Sequence, residues 1–326
     1  MTLAPVDLNL AVADEAHVDA ARRAVLREAR RLTLDETFLG RLALVVQEMA
    51  RNLLLHAGHG ELHFNRNGQG FDLLAVDSGP GMANVAQCLS DHYSTKGTMG
   101  AGLGAIRRLS DRFDIYSQAG RGTVVFSRFE LGADKSRDGL ISGALSTPYP
   151  GEEVCGDAWA VKGNRVMVCD GLGHGVSAHL VGQRARELFL AHDPAMPLAQ
   201  LMEQFHRALM STRGGALAFA EVLLAEGQLN FCGIGNIAGS LVADKSRGLV
   251  SANGTIGYKA GRIQPYSYPW DESSLLIMSS DGLTSKCGMS GYPGLTQRHP
   301  AVVAAVLHRD FRRHNDDATV LVLKNA

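Results

Sequence analysis

The chain has 326 residues, which is long for one domain of average size and suits two. Hydrophobic residues make up 45% of it and charged residues 20%, as in folded globular proteins, so extensive disorder is excluded. Its 32 basic and 33 acidic side chains nearly cancel and provide no broad positive field for nucleic acid or an anionic membrane.

The cysteines and the apolar segments indicate a cytoplasmic protein. The five cysteines are odd in number, scattered and without a C-x-x-C motif, which favours reduced thiols over disulfides or a zinc site. The N-terminus lacks the basic and apolar regions of a signal peptide. No apolar run approaches the roughly 20 residues that a membrane-spanning helix needs. We therefore expect neither membrane nor nucleic-acid partners.

Strands and helices alternate in the first part of the chain. Residues 6–12 alternate apolar and polar side chains and predict a strand. Apolar residues at helical spacing predict one helix over 15–31 and a second from a cap at Thr33 or Asp35 to near His56. The remaining predicted elements are strands around 61–65, 71–76, 113–117 and 123–130, and a helix around 105–109.

A polar segment, Leu131–Asp138, separates this part from the rest of the chain. It predicts a first domain over 1–133, a linker over 134–138 and a second domain over 139–326. The second domain is predicted to have strands at 140–147, 157–161, 165–170, 217–225, 229–234, 238–243, 275–279 and 319–323, and helices at 176–191, 198–210 and 300–309.

Three polar side chains recur every four residues along the second predicted helix. Glu48, Asn52 and His56 therefore share one helical face. An amide oxygen suits Mg²⁺, and a carboxylate can take the proton of an attacking hydroxyl group. The same spacing also fits a polar helix face without chemistry, and we interpret His56 as structural.

Two glycine-containing segments follow. Asp77 ends an apolar strand, where its carboxylate can accept a hydrogen bond from an exocyclic amine, and nearby glycines let a flat base approach the backbone. The segment 96–104 precedes a helix, and glycine amides at such a place can bind phosphate. Either segment alone also fits an ordinary turn or a flexible lid. Their glycines include Gly79, Gly81, Gly100, Gly102 and Gly104.

Taken in order, these motifs resemble the Bergerat-fold (GHKL) ATP-binding family over about residues 5–130. EMARN resembles its N-box and DSGPG and GAGLG its glycine boxes, most closely those of RsbT-like serine kinases. The resemblance implies an α/β sandwich, with a mixed sheet covered by helices on one face, that binds ATP and Mg²⁺. It implies a general base in Glu48, a Mg²⁺ ligand in Asn52, an adenine acceptor in Asp77 and a nucleotide pocket shaped by the five glycines.

A histidine kinase would share these boxes. Such kinases also carry an upstream dimerising helix pair with a phospho-accepting histidine, and too few residues precede the helix of Glu48 to form one. Phosphorylation of a hydroxyl group is therefore favoured. Lys96 matches no motif position.

Aspartates adjoin several apolar runs of the second predicted domain. Asp157 opens one run, whereas Asp170 and Asp281 follow others and the Asp316–Asp317 pair precedes the last. Clustered carboxylates are unfavourable unless cations neutralise them, and oxygen ligands favour Mn²⁺ or Mg²⁺ over zinc. Two such ions can share a water, lower its pKa and direct it at a phosphoryl group. Any one of these pairs alone also fits an ordinary turn.

In combination, CGD, DGLGHG, SSDG and DDAT resemble the metal motifs of the PPM (PP2C-type) phosphatases, especially their SpoIIE and RsbX branch, over about residues 140–326. The resemblance implies an α-β-β-α sandwich with two ions bridged by Asp157 and Asp170. It favours Asp316 over Asp317, because the first residue of this pair is the ligand in the family. His174 is interpreted as a turn residue rather than a proton donor. The implied ligands are Asp157, Asp170, the Gly171 carbonyl, Asp281 and one of Asp316 and Asp317.

The two resemblances leave three functions open. The first is a bifunctional partner-switching enzyme that phosphorylates and dephosphorylates Ser or Thr on a STAS-domain protein of an anti-sigma or stressosome complex. The second is a phosphatase gated by a non-catalytic ATP sensor, against which the retention of Glu48 argues. The third is a sequestering anti-sigma or scaffold protein. The sequence leaves open whether the chain forms a homodimer.

Overall fold

The computed structural model shows two compact units. The first comprises Met1–Lys135 with Pro293–Arg309, and the second comprises Ser136–Tyr292 with Asp310–Ala326. The predicted linker lies outside the described residues, and the predicted domain boundaries stay a prediction. No helix in the described part of the chain combines the length and apolarity needed to cross a membrane. The described residues are 7–67, 70–89, 102–132, 139–284 and 287–326.

A five-stranded sheet forms the first unit, in the order β1-β2-β3-β5-β4. Every described pairing in it is antiparallel, which corrects the mixed sheet that the family resemblance implied. The connections from β2 to β3 and from β4 to β5 are short, and such connections can only join antiparallel strands. The strands are β1 (Asp7–Val12), β2 (Gly60–Asn67), β3 (Gly70–Val76), β4 (Arg112–Gln118) and β5 (Gly122–Glu130).

The helices of the first unit confirm the apolar periodicity read from the sequence. Val18 and Val25 of the first helix and Leu42 and Met49 of the second pack in one core with strand residues such as Phe64. Both of these helices are capped by an aspartate whose side chain accepts a backbone N–H of the first turn. The helices are α1 (Glu15–Ala29), capped by Asp14, α2 (Glu36–Asn52), capped by Asp35, α3 (Val85–Cys88) and α4 (Gly102–Leu109).

A π-helical turn, Leu53–Ala57, continues α2 before Gly58 ends it with a φ of 82°. The predicted end near His56 is therefore confirmed, but the last turn is wider than an α-helix. Single π-helical turns within α-helices occur frequently at functional sites. This one follows directly after Asn52.

The second unit is a sandwich of two sheets, in the orders β13-β10-β9-β8-β7 and β12-β11-β17-β18-β6. Val168 and Ala218 of the first sheet share a core with Met278 and Leu321 of the second. The strands of these two sheets are β6 (Leu140–Thr147), β7 (Asp157–Lys162), β8 (Arg165–Gly171), β9 (Gly215–Leu223), β10 (Gln228–Ile234), β11 (Ala238–Val242), β12 (Ser246–Gly248), β13 (Ser251–Ala252), β17 (Leu275–Ser279) and β18 (Ala318–Asn325).

Two helices cover the first sheet of this sandwich, which confirms the expected α/β fold. Phe189 of the first helix and Phe205 of the second share a core with Met167 and Phe219 of the sheet. Short strands β14 and β15 pair with each other, and β16 pairs with β10. These elements are α5 (Val176–Ala191), α6 (Leu198–Ala208), β14 (Gly254–Thr255), β15 (Lys259–Ala260) and β16 (Tyr266–Pro269).

The helix α7 (Pro300–Phe311) contributes its residues up to Arg309 to the first unit. Its first nine residues are all buried, as expected of a helix that is apolar on every side. Just before it, the backbone N–H of His299 donates to Asp114, and the His299 ring stacks on Phe126 with centroids 4.2 Å apart. At its far end, Arg309 Nη1 donates to the carbonyl oxygen of Asp77 at 3.0 Å.

Candidate functional site

In the first unit, Asp77 directly follows β3, the middle strand of the sheet. Its Oδ1 accepts hydrogen bonds from the backbone N–H groups of Gly79 at 2.8 Å and Thr123 at 3.2 Å, which fix the carboxylate. Burial raises the pKa of Asp77 above its usual range. Within the described residues Oδ2 has no hydrogen-bond partner, so this oxygen can accept a hydrogen bond from a bound amine.

The glycines after Asp77 allow two close approaches. A Cβ placed on Gly79 would lie 2.8 Å from the Cβ of Ala57, the last residue of the π-helical turn. Gly81 has a φ of 68°, and a Cβ there would lie 2.2 Å from the carbonyl oxygen of Gln118. Both positions therefore exclude a larger residue.

Glu48 and Asn52 meet the second glycine segment at Gly102, where α4 begins. A Cβ placed on Gly102 would lie 3.1 Å from Glu48 Oε2 and 3.5 Å from Asn52 Oδ1. Among the described residues, the buried Nδ2 of Asn52 has no hydrogen-bond partner, which fits a polar ligand here. Gly104 is buried inside α4. The predicted Gly100, like Lys96, lies outside the described residues.

In the second unit, strand pairing places two of the predicted aspartates side by side. Asp157 at the start of β7 lies directly opposite Asp170 on β8. Side chains of directly opposed residues project from the same face of a sheet. Asp157 Oδ2 accepts a hydrogen bond from Ser280 Oγ at 2.6 Å. Its buried Oδ1 lacks a partner in the described part of the chain.

Neighbouring carboxylates act on one another at this edge, which we call the carboxylate edge (Asp157, Asp170, Asp281, Asp316 and Asp317). Burial, reinforced by the charges of the other four aspartates, raises the pKa of Asp170 to about 9. Burial and the charges of Asp317 and Asp316 raise the pKa of Asp157 to about 7. A divalent cation would relieve this excess of negative charge.

The two terminal aspartates have different surroundings. Asp317 is buried, and its Oδ1 accepts the backbone N–H of Tyr149 at 2.9 Å. Asp316 is half-buried, and burial together with the charge of Asp281 raises its pKa. Asp281 Oδ2 in turn accepts Asn236 Nδ2 at 2.6 Å. Asp316 and Asp281 are therefore near each other. Each terminal aspartate uses one oxygen on the backbone, because Asp316 Oδ1 accepts the backbone N–H of Asp317 at 3.0 Å.

The carboxylates are not gathered into a formed coordination sphere. Among the described residues, no three His, Cys, Asp or Glu side chains are close enough to hold an ion as they stand. The donor set nevertheless fits a hard cation, because Asp317 Oδ2, like Asp157 Oδ1, is buried without a described partner. That Asp317 oxygen lies 2.7 Å from a Cβ placed on Gly156, next to Asp157. The ligand roles, including that of the Gly171 carbonyl, stay predictions.

A group beside the carboxylate edge was missed by the sequence interpretation. His174 Nδ1 lies 2.8 Å from Glu152 Oε1, and its ring stacks on Tyr149 with centroids 4.2 Å apart. The charge of His174 partly offsets the rise in the pKa of Asp316. The GHG sequence after Asp170 was a signal for His174, but no motif marks Tyr149 or Glu152.

Comparisons with known proteins agree with the two motif sets. Residues 11–128 match the family model of the histidine kinase-like ATPase domain, and residues 161–325 match that of stage II sporulation protein E (SpoIIE). The serine/threonine-protein kinase RsbT of Bacillus subtilis (strain 168) is 34% identical over 110 residues, which are 32% of this chain and 83% of RsbT.

Part of the chain resembles a solved structure in fold. A structure from work on the bacterial stressosome as a modular system adapted to control secondary messenger signaling aligns with a TM-score of 0.52 and 23% identity, over 57% of this chain and 99% of its own. The crystal structure of RsbX in complex with magnesium aligns with a TM-score of 0.48 and 18% identity, over 58% of this chain and 96% of its own.

Proposed function

The chain belongs to the SpoIIE family and, in its N-terminal part, to the histidine kinase-like ATPase family, and we propose that it both adds and removes phosphate on a protein serine or threonine. The observation that carries the proposal is the direct pairing of Asp157 with Asp170, whose pKa responds to the charges of Asp281 and Asp316. Such a concentration of carboxylates is costly without cations, and it suits phosphoryl chemistry with them.

Dephosphorylation would take place at the carboxylate edge. Asp157, Asp170, Asp281 and Asp316, with the Gly171 carbonyl, would hold two Mn²⁺ or Mg²⁺ ions. When bound, such ions lower the pKa of a water molecule and stabilise charge on the phosphoryl group. The Ser280 hydroxyl orients Asp157 through its hydrogen bond.

Phosphorylation would use the first unit. Glu48 would accept the proton of the substrate hydroxyl group, and Asn52 would bind the Mg²⁺ that accompanies ATP. The proximity of both side chains to Gly102 supports these roles, because a glycine amide there can contact phosphate. Asp77 Oδ2 would accept a hydrogen bond from the adenine amine, and Gly79 and Gly81 would let the loop approach the base.

A STAS-domain protein of a bacterial partner-switching system is the substrate that we propose. The similarity to RsbT, a serine/threonine-protein kinase, and to a structure from work on the stressosome supports it. If both activities acted on one site at once, ATP would be consumed without net change. The two reactions must therefore be separated by a regulatory state or by distinct substrates.

The test is radiolabelled phosphate transfer to a purified STAS-domain protein by the full-length chain. Relative to wild type, Glu48→Ala should lose transfer, whereas Asp157→Asn should transfer phosphate but fail to remove it. Labelled protein should therefore accumulate with Asp157→Asn. If neither substitution changes the labelling or its decay, the proposal is wrong.

One observation favours a second candidate function, a phosphatase gated by ATP. Arg309 donates to the Asp77 carbonyl oxygen, and the chain reaches Asp316 only seven residues later. ATP bound at Asp77 would then change the position of Arg309, and the residues between Arg309 and Asp316 would transmit that change to the carboxylate edge. Phosphatase activity that varies with ATP in Glu48→Ala, without any phosphate transfer, would support gating.

A further inference from the structure

Three large apolar side chains are exposed beside the carboxylate edge. Leu172, Val176 and Leu180 have exposed fractions of 58%, 66% and 62%. Val176 and Leu180 are four residues apart on α5 and so share one face of it, whereas Leu172 belongs to the loop that leads into α5, four residues before Val176. We call these three residues the apolar ridge. Exposed apolar groups that lie together commonly mark a surface for binding another protein.

Backbone contacts place the loop of Leu172 at the carboxylate edge. Leu172 follows Asp170 by two residues, and its backbone N–H donates to the carbonyl oxygen of Gly214 at 2.9 Å. Gly214 directly precedes β9, whose residue Ala216 pairs with Asp170. The loop that carries Leu172 and the loop that leads into β9 therefore lie side by side at the carboxylate edge.

Arg213 brings a positive charge to the same place. It precedes Gly214, and its Nη1 lies 3.4 Å from a Cβ placed on Gly173, the residue after Leu172. The side chain is exposed and forms no ion pair within the described residues. A phosphate monoester approaching this edge carries negative charge toward several carboxylates. A guanidinium beside them supplies the complementary charge and can bind two phosphate oxygens.

We propose that Arg213 and the apolar ridge dock the phosphorylated segment of the protein substrate. Arg213 binds the phosphoryl oxygens, and the ridge packs against apolar side chains next to the phosphoserine or phosphothreonine. This inference rests on the proposed phosphatase function and specifies its substrate class as phosphorylated segments with apolar flanking residues. The other occupant of such a ridge, a second copy of this chain, is distinguished by the test below.

The test compares three probes with the full-length protein and Mn²⁺. They are p-nitrophenyl phosphate, a phosphoserine peptide flanked by leucines and the same peptide flanked by serines. We expect wild type to prefer the leucine peptide by about tenfold in kcat/KM, the order expected from partial burial of one or two leucines. Leu180→Asp should abolish this preference and leave hydrolysis of p-nitrophenyl phosphate unchanged.

Arg213 is tested with the same probes. Because each probe carries a phosphoryl group, Arg213→Ala should raise KM for all three by about tenfold, in line with the loss of one charge-assisted contact. Arg213→Lys should restore part of the loss, since lysine keeps the charge but not the paired donors. Val250→Asp and Arg247→Ala, which alter exposed residues elsewhere in the same unit, are the matched controls.

Several results would overturn the docking surface. One is a wild-type protein that hydrolyses both peptides equally, and another is a Leu180→Asp variant that keeps the preference. A Leu180→Asp variant that changes the oligomeric state in light scattering, but not the peptide preference, would assign the ridge to a second copy of the chain. If wild type hydrolysed no probe, the proposed phosphatase function itself would be wrong.

Discussion

The two candidate sites are built by different means. At the carboxylate edge, Asp157 and Asp170 are placed by the hydrogen-bonded register of β7 and β8. In the first unit, Glu48 and Asn52 come from one helix and approach Gly102 of another. Backbone hydrogen bonds between strands fix the positions of the two aspartates, whereas the distance between two helices depends on the size of the side chains between them. Activity at the carboxylate edge should therefore depend chiefly on the charge of its side chains. ATP binding in the first unit should depend also on the lack of a side chain at Gly102.

The largest expected effect is at the carboxylate edge. Asp170→Asn keeps the shape of the side chain but removes the charge that a bound ion needs. We expect phosphatase activity to fall by about 10³-fold or more, because metal activation contributes several kcal/mol. Hydrolysis of p-nitrophenyl phosphate with Mn²⁺ measures it. Nucleotide binding by the same variant should equal that of wild type, and a parallel loss would mean general misfolding.

Glu48→Gln should have the next largest effect, on the first unit alone. The amide cannot accept the proton of a substrate hydroxyl group, so phosphate transfer should drop by about 10²–10⁴-fold, the usual contribution of a general base. ATP affinity, measured by calorimetry, should stay within a few-fold of wild type. Unchanged transfer would remove Glu48 from the reaction and favour the gated phosphatase.

The contrast between Asp316 and Asp317 sharpens the assignment at the carboxylate edge. Asp316→Asn should weaken the activating Mn²⁺ by about 10–100-fold, whereas Asp317→Asn retains an oxygen for the Tyr149 N–H and should change it much less. Activity titrated with Mn²⁺ compares the two variants. The reverse ranking would make Asp317 the ligand.

Gly102→Ala tests whether ATP binding depends on the close approach of Glu48 and Asn52 to Gly102. The new methyl group would lie 3.1 Å from Glu48 Oε2, closer than ordinary contact, so α4 or the Glu48 side chain must shift. We expect ATP affinity to fall by about tenfold, a loss near 1.4 kcal/mol. Gly40→Ala, at an exposed position of α2, adds a methyl group that contacts nothing within 4 Å and serves as the comparison. Equal affinities in the Gly102 variant and wild type would contradict the role of this approach.

The last prediction concerns the stability of the metal-free protein rather than its activity. In the metal-free protein the pKa is raised to about 7 for Asp157 and to about 9 for Asp170, so the folded state holds protons that the unfolded state has lost. Stability should therefore be greatest near the ordinary Asp pKa of about 4 and fall as pH rises toward 9. Thermal unfolding should show a lower Tm at the alkaline end. Mn²⁺ or Asp170→Asn should flatten this dependence, and a Tm that rises with pH would contradict it.

Periodic patterns predicted most of the regular elements. The apolar spacing in α1, α2 and α5 is long enough to specify a buried face. The short strands between 246 and 269 were not predicted, because two to four residues carry no period. The π-helical turn was missed for a similar reason, since one wide turn leaves no mark in the spacing of apolar residues.

Sequence motifs pointed to some residues of the candidate sites and not to others. Motifs directed attention to Asp157, Asp170 and Asp281, which lie in a strand or within two residues of one, and their ligand roles stay predictions. The group formed by Tyr149, Glu152 and His174 depends on contacts between segments that are distant in sequence, which no local pattern encodes. The mixed sheet was expected from family resemblance, and the strand pairings corrected it.

The assignment of Pro293–Arg309 to the first unit has a consequence for how the protein can be divided. Two separate segments of the chain form that unit, so no single cut in the chain separates the two units intact. A fragment that ends at residue 135 would lose the His299 N–H that Asp114 accepts and the ring that stacks on Phe126. A fragment that starts after it would carry α7, whose first eight residues are apolar, without the part of the first unit against which they are buried. Either fragment should therefore be less stable than the same residues in the intact chain.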